Sequence, residues 1–420
     1  MKKKILLIIV AAIVLHYNSK AQIQIDAEIR PRFEFRNGYK TLRDSTTTPS
    51  YHTSQRSRIN FKYKDDKINS LVSFQDVRIW GDEKAKNDIA SSMLHEAWAE
   101  FLISKKFSVK AGRQSIRYDN KRLIGPSNWN QIGLKHDALL LKYKDTNLEI
   151  DLGSAFNQTQ ANNFGTDYTA LSSDNYKTLN FLWISKKINK ITLSSLSIAD
   201  AYQKTGTTST LYMRGTIGGI IKYENDNLSF ILRVFDQTGK NKTGQDINAY
   251  YFNTDIKYKI NDKTNIAVGI EYMSGNDAVD STNTVDNSFD ILYGAKHNPN
   301  GKIDYFSTPA TTTNAGLNNT YLKFDYKLNK KTTVFTDVHY FMLQNNYIYN
   351  NKVIDKYLGT EIDIYAIIKL SDISSLMLGY SAMFANESTE IIKGTGDSDK
   401  IGHWAFLMLT VKPVFFKKDK

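Results

Sequence analysis

The sequence gathers its arginine residues near the N-terminus, and arginine has a specific chemistry. Each guanidinium is permanently charged and presents a planar fork of donors that matches a carboxylate. Arginines that share one water-filled space favour a small anionic solute or a polyanion. Ten of the twelve arginines precede residue 123, and they are Arg30, Arg32, Arg36, Arg43, Arg56, Arg58, Arg78, Arg113, Arg117 and Arg122.

The same arginines have a second interpretation, in which they pair with acids and stabilise the wall of the fold. Both roles can hold at once, because fixed ion pairs can also position a selective constriction. The acids available for such a ladder are Asp26, Glu28, Glu34, Asp76, Glu96 and Glu100.

Catalytic and metal chemistry has less support. The chain has no Cys, which excludes thiolate catalysis, disulfides and iron–sulfur sites. It also has no Gly-x-Ser-x-Gly, Walker or His-Glu-x-x-His motif. His339, two residues after Asp337, fits a wall residue, and His297, near Asp290 and Asp304, fits a loop hydrogen bond better than a metal ligand. We therefore expect no enzyme activity, no cofactor and no metal ion.

The elements that position the arginines are indicated by strict alternation. From Gln22 to Arg36 the even positions are all polar and the odd positions are all apolar, as in a β-strand with two different faces. Comparable segments follow at 54–64, 67–80, 92–103, 106–117, 135–144, 147–157, 175–186, 190–201, 210–224, 227–236, 247–260, 264–274, 317–328, 332–343, 357–370, 373–385 and 401–416.

The connections alternate as well, and this decides the fold class. Eight short polar turns take every second junction, and nine longer loops take the others. This arrangement predicts an all-β protein, an antiparallel transmembrane β-barrel of 18 strands with both termini on the short-turn side. A periplasmic β-sandwich is the alternative. Aromatic residues suited to interfacial girdles are Tyr63, Trp183, Tyr223, Tyr258, Tyr272, Tyr326, Tyr340 and Phe384.

The N-terminus reads as an export signal. Lys2, Lys3 and Lys4 precede an apolar run from Ile5 to Leu15, and a small-x-small cleavage pattern ends at Ala21. We expect residues 1–21 to be a cleaved signal peptide and residues 22–420 to form the barrel in the outer membrane. Behind such a signal, the net charge of +12 does not indicate a nucleic-acid partner.

If odd positions of the first strand face lipid, the basic residues of the first two strands face the lumen. We expect Asp76 and Arg78 to face inward too, because a midplane Arg in lipid costs about 2–4 kcal/mol. A bulge near Gly112 would return Arg113 to the inside. The predicted pore-lining residues are Arg30, Arg32, Arg36, Arg56, Arg58, Lys62, Arg78, Arg113, Arg117, Arg122 and Arg214, with Asp76, Glu96 and Glu100.

The connection 275–316 is far longer than an ordinary loop and carries many apolar residues, among them Phe289, Tyr305 and Phe306. Such a loop favours packing over exposure to water. We expect it to fold into or across the lumen, where Lys296, His297 and Lys302 would act as a gate near the arginines.

Several motifs resemble the alginate-export family of outer-membrane porins. They include Ser54-Gln55-Arg56-Ser57-Arg58-Ile59, residues 74–81, 94–100 and 112–125 with Trp129, and residues 289–306. The resemblance implies an 18-stranded barrel whose arginine-lined constriction lets a uronic-acid polymer diffuse outward. It points to Arg56, Arg58, Arg78, Arg113 and Arg122, with Asp76, Glu96 and Glu100. Asp119 stands where the family usually has Gly.

These observations predict a passive, anion-selective channel for an anionic polysaccharide or oligosaccharide. The expected partners are that saccharide, outer-membrane lipid, and periplasmic export or assembly proteins. Two alternatives stay open: a general anion porin, and a binding or structural barrel with a sealed pore.

Overall fold

Alternating polar and apolar residues produce long strands that wind into a single sheet. The computed structural model describes residues 21–86, 89–158, 160–166, 176–204, 210–280, 282–297 and 299–418. The predicted signal peptide lies outside these residues, apart from Ala21. The strands are β1 Gln22–Asn37, β2 Ser50–Lys64, β3 Ile68–Ile79, β4 Met93–Leu102, β5 Phe107–Gln114, β6 His136–Lys144, β7 Leu148–Phe156, β8 Thr178–Ile188, β9 Ile191–Gln203, β10 Leu211–Glu224, β11 Leu228–Lys240, β12 Asp246–Lys259, β13 Thr264–Met273, β14 Leu317–Lys327, β15 Thr332–Met342, β16 Tyr357–Lys369, β17 Ser374–Ala385 and β18 Gly402–Val411.

The sheet closes on itself. Each strand pairs antiparallel with the next, and β1 pairs with β2 on one side and with β18 on the other. After Lys412 and Pro413 interrupt it, β18 resumes as Val414–Lys418 and still pairs with β1, through Ile25 and Phe416. Across this seam the Trp404 Nε1 donates to Glu34 Oε2 at 3.0 Å. The predicted closed barrel of 18 antiparallel strands is confirmed.

The outer and inner faces of the barrel differ sharply. In β6, Leu139 and Leu141 point outward and are each 47% exposed, whereas Leu140 between them is 4% exposed. Comparable apolar side chains cover the outer face of the other strands, which is the surface a lipid bilayer requires. The inner faces carry the buried charged residues of the strands together with buried apolar side chains such as Leu140. Among the described residues, no helix has the length and apolar character needed to cross a membrane.

The loops hold a few short elements. A small hairpin joins Ile348–Tyr349 to Lys352–Val353 between β15 and β16, and a 3₁₀ turn covers Pro309–Thr312. Helix α1, Glu387–Lys393, lies between β17 and β18; the Asn386 side chain caps its N-terminus, and Gly394 ends it in the left-handed conformation.

The register of β3 differs from the expected one. Val77 lies opposite the inward-facing Arg56, whereas Asp76 lies opposite Ser57 on the outer face. Arg78 therefore also faces outward, where its Nε donates to Asp76 Oδ2 at 2.7 Å. Both residues lie near the end of their strand and are partly exposed, so the lipid cost assumed for an Arg at the midplane does not apply there.

Arg113 also lies on the opposite face of its strand from the one predicted. The pairing of β4 with β5 runs through Gly112 without a register shift, so the expected bulge is not formed there. Gly112 has a φ of +120°, which glycine adopts readily. Gln114 is buried inside, so Arg113 faces outward and forms a two-fold hydrogen bond with Asp137 at 2.9 and 2.8 Å. Trp183, expected in an outer girdle, faces inward and stacks on Tyr118 with ring centres 4.8 Å apart.

Candidate functional site

The inward face of β1 and β2 carries a ladder of arginines. Arg56 forms an ion pair with Glu28, and Arg32 and Arg36 each lie 2.8 Å from a carboxylate oxygen of Glu34. Farther toward the short turns, the partly exposed Lys62 reaches Asp26 at 2.6 Å. Part of the basic charge therefore belongs to ion pairs that hold neighbouring inward positions together.

Other arginines in the ladder are held by uncharged acceptors. Arg30 donates to Gln131 Oε1 at 2.7 and 3.0 Å and to the Asn128 carbonyl at 2.7 Å. Arg58 donates to Gln75 Oε1 at 2.7 and 3.1 Å. Within the described part of the chain, the hydrogen bonds of these two guanidinium groups reach no carboxylate. Both guanidinium groups are therefore held in place by uncharged acceptors, and no ion pair with a contacting carboxylate of the described residues neutralises their charge.

The loop between β5 and β6 turns into the lumen and rests on this ladder. Arg32 Nη1 donates to the Trp129 carbonyl at 2.8 Å, and Gln131 Nε2 donates to Ser54 Oγ at 3.0 Å. Near the start of this loop, Asp119 has a φ of +45°, and its carboxylate accepts from Trp183 and Ser194. A left-handed backbone at this position explains why a glycine suits it.

The middle of the long connection between β13 and β14, from Ser288 to Phe306, also lies inside the barrel, whereas its residues 278–280 and 282–284 are exposed. Phe289, Ile291, Ile303, Tyr305 and Phe306 are all fully buried. They form the apolar core of the lumen together with inward side chains of the wall.

Charged residues fix this connection to the wall. Arg214 on β10 bridges Asp200 at 2.7 Å and Asp290 of the connection at 2.8 Å. Burial opposes ionisation of Asp290, but the charge of Arg214 outweighs it and holds the pKa of Asp290 below its usual value. On β16, Glu361 Oε1 accepts from the backbone N–H groups of Lys302 and Ile303 at 2.5 and 2.9 Å.

Arg122 joins the two inward loops. Its guanidinium donates to the Ala295 carbonyl at 2.6 Å and forms a buried ion pair with Glu271 on β13. Gly294 approaches so closely that a Cβ there would lie 1.7 Å from the Arg122 carbonyl oxygen. Arg122 is therefore a structural link within the lumen.

Between the inward loops and the β1 wall lies a cavity of about 1070 Å³. The described residues that line it include six cationic side chains and two carboxylates, with Val77 and Ile79 among the neutral ones. The cations are Arg32, Arg36, Lys40, Lys121, Lys296 and Lys302, and the acids are Glu34 and Asp304.

His297 helps to form the cavity wall. Its ring stacks on Trp129 with centres 4.2 Å apart and planes at 10°, and its Nδ1 lies 2.9 Å from Asp304 Oδ1. Burial lowers the pKa of His297, against the opposing effect of the Asp304 charge. The ring is therefore a neutral, fixed part of the wall at pH 7.

The structure places the predicted site residues in different locations. Arg32, Arg36, Lys296, His297 and Lys302 meet at the cavity. Glu96 and Glu100 face inward on β4, where Glu100 pairs with Ser108 and Lys142. Arg117 is exposed in the loop after β5. The cavity is also lined by Tyr39, Lys40, Lys121 and Gln131. Their local sequence does not predict this position, because it depends on how the loops turn inward.

A comparison with protein families identifies the chain. A model of the family described as alginate export matches residues 21–390. The chain belongs to the alginate export family. The resemblance proposed from the motifs is confirmed, and family membership together with the closed barrel places this alginate export family member in the outer membrane as a channel.

Solved structures show the same fold at low identity. OccAB1 from Acinetobacter baumannii matches with a TM-score of 0.64 and 10% identity over 94% of this chain and 97% of that chain. OccK9 (OpdG) from Pseudomonas aeruginosa matches with a TM-score of 0.65 and 12% identity over 94% and 98%. No protein of curated function matches this alginate export family member.

Proposed function

We propose that this protein is a passive, anion-selective channel for an alginate-like uronate polysaccharide or its oligosaccharides. The observation that carries the proposal is the charge of the cavity. The described lining residues include six cations and only two carboxylates. Arg30 and Arg58, held by neutral acceptors, add further positive charge to the adjacent wall.

The chemistry of the ladder suits a polymer that carries a carboxylate on each sugar. A guanidinium fork can accept a carboxylate in two parallel hydrogen bonds. Arg32 and Arg36 already share Glu34, so they offer an incoming carboxylate a weaker, exchangeable contact. Conduction needs sites that bind strongly enough for entry and weakly enough for release. A row of partly engaged arginines meets both needs.

The burial of the long inward connection favours a second candidate, a barrel whose pore is sealed. Its apolar side chains fill part of the lumen, and both inward loops are anchored to the wall. A sealed barrel would serve binding or structure at the cell surface. The exposed apolar outer face is the proposed contact with lipid in both cases.

Planar-bilayer recording of the purified barrel separates these candidates. We expect ion conductance, a reversal potential in a KCl gradient that indicates chloride preference, and concentration-dependent block by uronate oligosaccharides. Neutral oligosaccharides of equal length are the matched control. Absence of conductance would favour the sealed barrel, and equal block by both saccharides would contradict recognition of the carboxylate. Chloride preference without any saccharide block would indicate a general anion porin.

A further inference from the structure

Four buried titratable side chains form a cluster on the inner wall outside the lining of the cavity, and one of them, Glu361, also anchors the inward connection. Asp337 and His339 face inward on β15, and Glu361 and Asp363 face inward on the neighbouring strand β16. All four residues are at most 2% exposed. The register places Asp337 directly opposite Asp363 and His339 directly opposite Glu361. Like charges in directly opposed positions are destabilising unless something compensates them.

The protonation of His339 can be read from its hydrogen bonds. Asn319 uses its Nδ2 to donate to the Pro299 carbonyl and to Asn300 Oδ1, so Asn319 Oδ1 is an acceptor. His339 Nδ1 lies 3.0 Å from that oxygen and must carry the proton. In the neutral ring, Nε2 is then a free acceptor. This is the arrangement in which a second group orients a metal-binding histidine.

The free nitrogen faces another acceptor. His339 Nε2 lies 3.9 Å from Asp363 Oδ2, which is too long for a hydrogen bond. Neither atom accepts a hydrogen bond from an N–H or hydroxyl group of the described residues, and Glu361 Oε2 beside them accepts none either. Glu361 and Asp363 can hydrogen-bond to each other only by sharing a proton between their carboxyl groups, and a bound cation would replace that proton. Ser381 donates to the other oxygen of Asp363 and so orients that carboxylate. Buried acceptors that face one another and receive no donor from another residue indicate a place for a cation.

The spacing fits one ion. Single ligand atoms from Asp337, His339 and Asp363 all lie within 4.8 Å of one another. Metal–ligand bonds of about 2.0–2.4 Å place the ligand atoms of one ion at most about 4.8 Å apart. We propose that Asp337, His339 and Asp363, with Glu361 beside them, bind one divalent metal ion of the Mn²⁺ or Zn²⁺ class. One imidazole with two or three carboxylates is a donor set typical of these ions.

Two lysines belong to the surroundings of this site. Lys323 Nζ lies 3.7 Å from Asp337 Oδ2, and the charge of Lys302 interacts with Asp337 and Asp363. Lys302 also covers the Tyr365 ring at 3.9 Å, and both of these residues line the cavity. The ion would thus enter from the cavity. Because Glu361 also holds the backbone of Lys302 and Ile303, the ion would help to fix the inward connection to the wall.

Metal binding to the refolded full-length barrel tests this site. The protein is stripped with a chelator and dialysed against Mn²⁺ or Zn²⁺, and the bound metal is counted by mass spectrometry. We expect one equivalent per barrel, and a loss of affinity of about ten-fold or more in His339→Gln and in Asp363→Asn. His403→Gln and Asp325→Asn are the matched controls and should bind as the unmodified protein does.

A spectroscopic measurement on the unmodified protein keeps the proposal testable if the variants do not fold. Bound Mn²⁺ should show nitrogen coupling from one imidazole in its electron paramagnetic resonance spectrum. Binding well below one equivalent, or unchanged binding in folded His339→Gln, would overturn the proposal. Binding that occurs only in Lys302→Met would also overturn it, because the ammonium group would then be the resident cation. Binding of Ca²⁺ alone would overturn the assigned metal class.

Discussion

The guanidinium carbon of Arg32 lies 4.5 Å from the centre of the Trp129 ring. The same guanidinium also donates a hydrogen bond to the Trp129 carbonyl. The Nε of the same guanidinium donates to Glu34 Oε1 at 2.8 Å. One arginine of the wall therefore supports the inward loop and supplies fixed positive charge to the cavity. Because this charge is positioned by three contacts, its removal should change ion selectivity in a measurable way.

The first prediction concerns the inward arginines. Arg32→Gln and Arg36→Gln should each lower the anion-to-cation permeability ratio by about two-fold or more, because each removes a charge from the cavity lining. Reversal potentials in a KCl gradient measure the ratio. Arg78→Gln and Arg113→Gln are the controls, since both side chains face outward and should leave the ratio unchanged. Equal effects at inward and outward positions would contradict this assignment.

The second prediction uses the close contact between the two inward loops. In Gly294→Ala the new methyl group would collide with the Arg122 carbonyl and push the loops apart, at a cost of about 1–3 kcal/mol. We expect larger and more variable single-channel conductance. Gly215→Ala is the control, because its Cβ would meet only Thr238 Oγ1 at 3.7 Å. Identical recordings from the two variants would show that this contact does not restrict the pore.

A third prediction addresses the long inward connection as a whole. Deletion of residues 280–310 removes the buried Phe289, Ile303 and Phe306 and should raise single-channel conductance, because the lumen loses much of its packing. Deletion of the exposed residues 160–166 is the control and should leave conductance as it is. A channel with unaltered conductance and selectivity after the first deletion would mean that the connection does not limit ion flow.

The fourth prediction concerns pH and stability. Lys393 of α1 donates to the Tyr305 carbonyl at 2.5 Å, and burial lowers the pKa of its ammonium from 10.5 to about 8. Between pH 8 and 10.5 the unfolded chain keeps a proton that the folded protein has lost, so the free energy of unfolding rises with pH. The rise from this residue is up to ~3 kcal/mol.

Denaturant unfolding of the unmodified protein and of Lys393→Met, measured across this pH range, isolates that contribution. The methionine variant should be the more stable of the two below pH 8 and should lose its advantage by pH 10.5. A constant difference between the two proteins at all pH values would contradict a depressed pKa at Lys393.

Most of the barrel could be predicted from sequence because alternation and loop length are local properties. Predicted and observed strands agree within a few residues, and β14 begins at Leu317 in both. The exceptions lie near strand ends. Alternation alone cannot say which face of β3 or β5 is inside, and the lipid cost that was used to choose a face depends on depth. Arg78 and Arg113 lie where charged pairs with Asp76 and Asp137 are tolerated.

The candidate site was predictable only in part. The inward ladder of β1 and β2 follows from the period of two, and the apolar content of the long connection indicated packing. The ion pairs that anchor the inward loops join residues far apart in sequence, such as Arg122 with Glu271 and Arg214 with Asp290. The sequence indicates that Asp337 and His339 are wall residues. It does not show that Glu361 and Asp363 lie opposite them, because this depends on the β15–β16 register.

The hydrogen bond from Trp404 to Glu34 connects residues separated by 370 positions. Glu34 is synthesised 370 residues before Trp404, the side chain that completes its environment. Contacts of such long sequence separation form slowly. Glu34, which accepts from Arg32 and Arg36 on its own strand, therefore lacks its third donor, the Trp404 indole, until β18 is in place. Closure of the barrel and the arrangement of the arginines are coupled at this point, because a chain truncated before β18 could neither close the sheet nor hold Arg32 and Arg36 as they stand in the closed barrel.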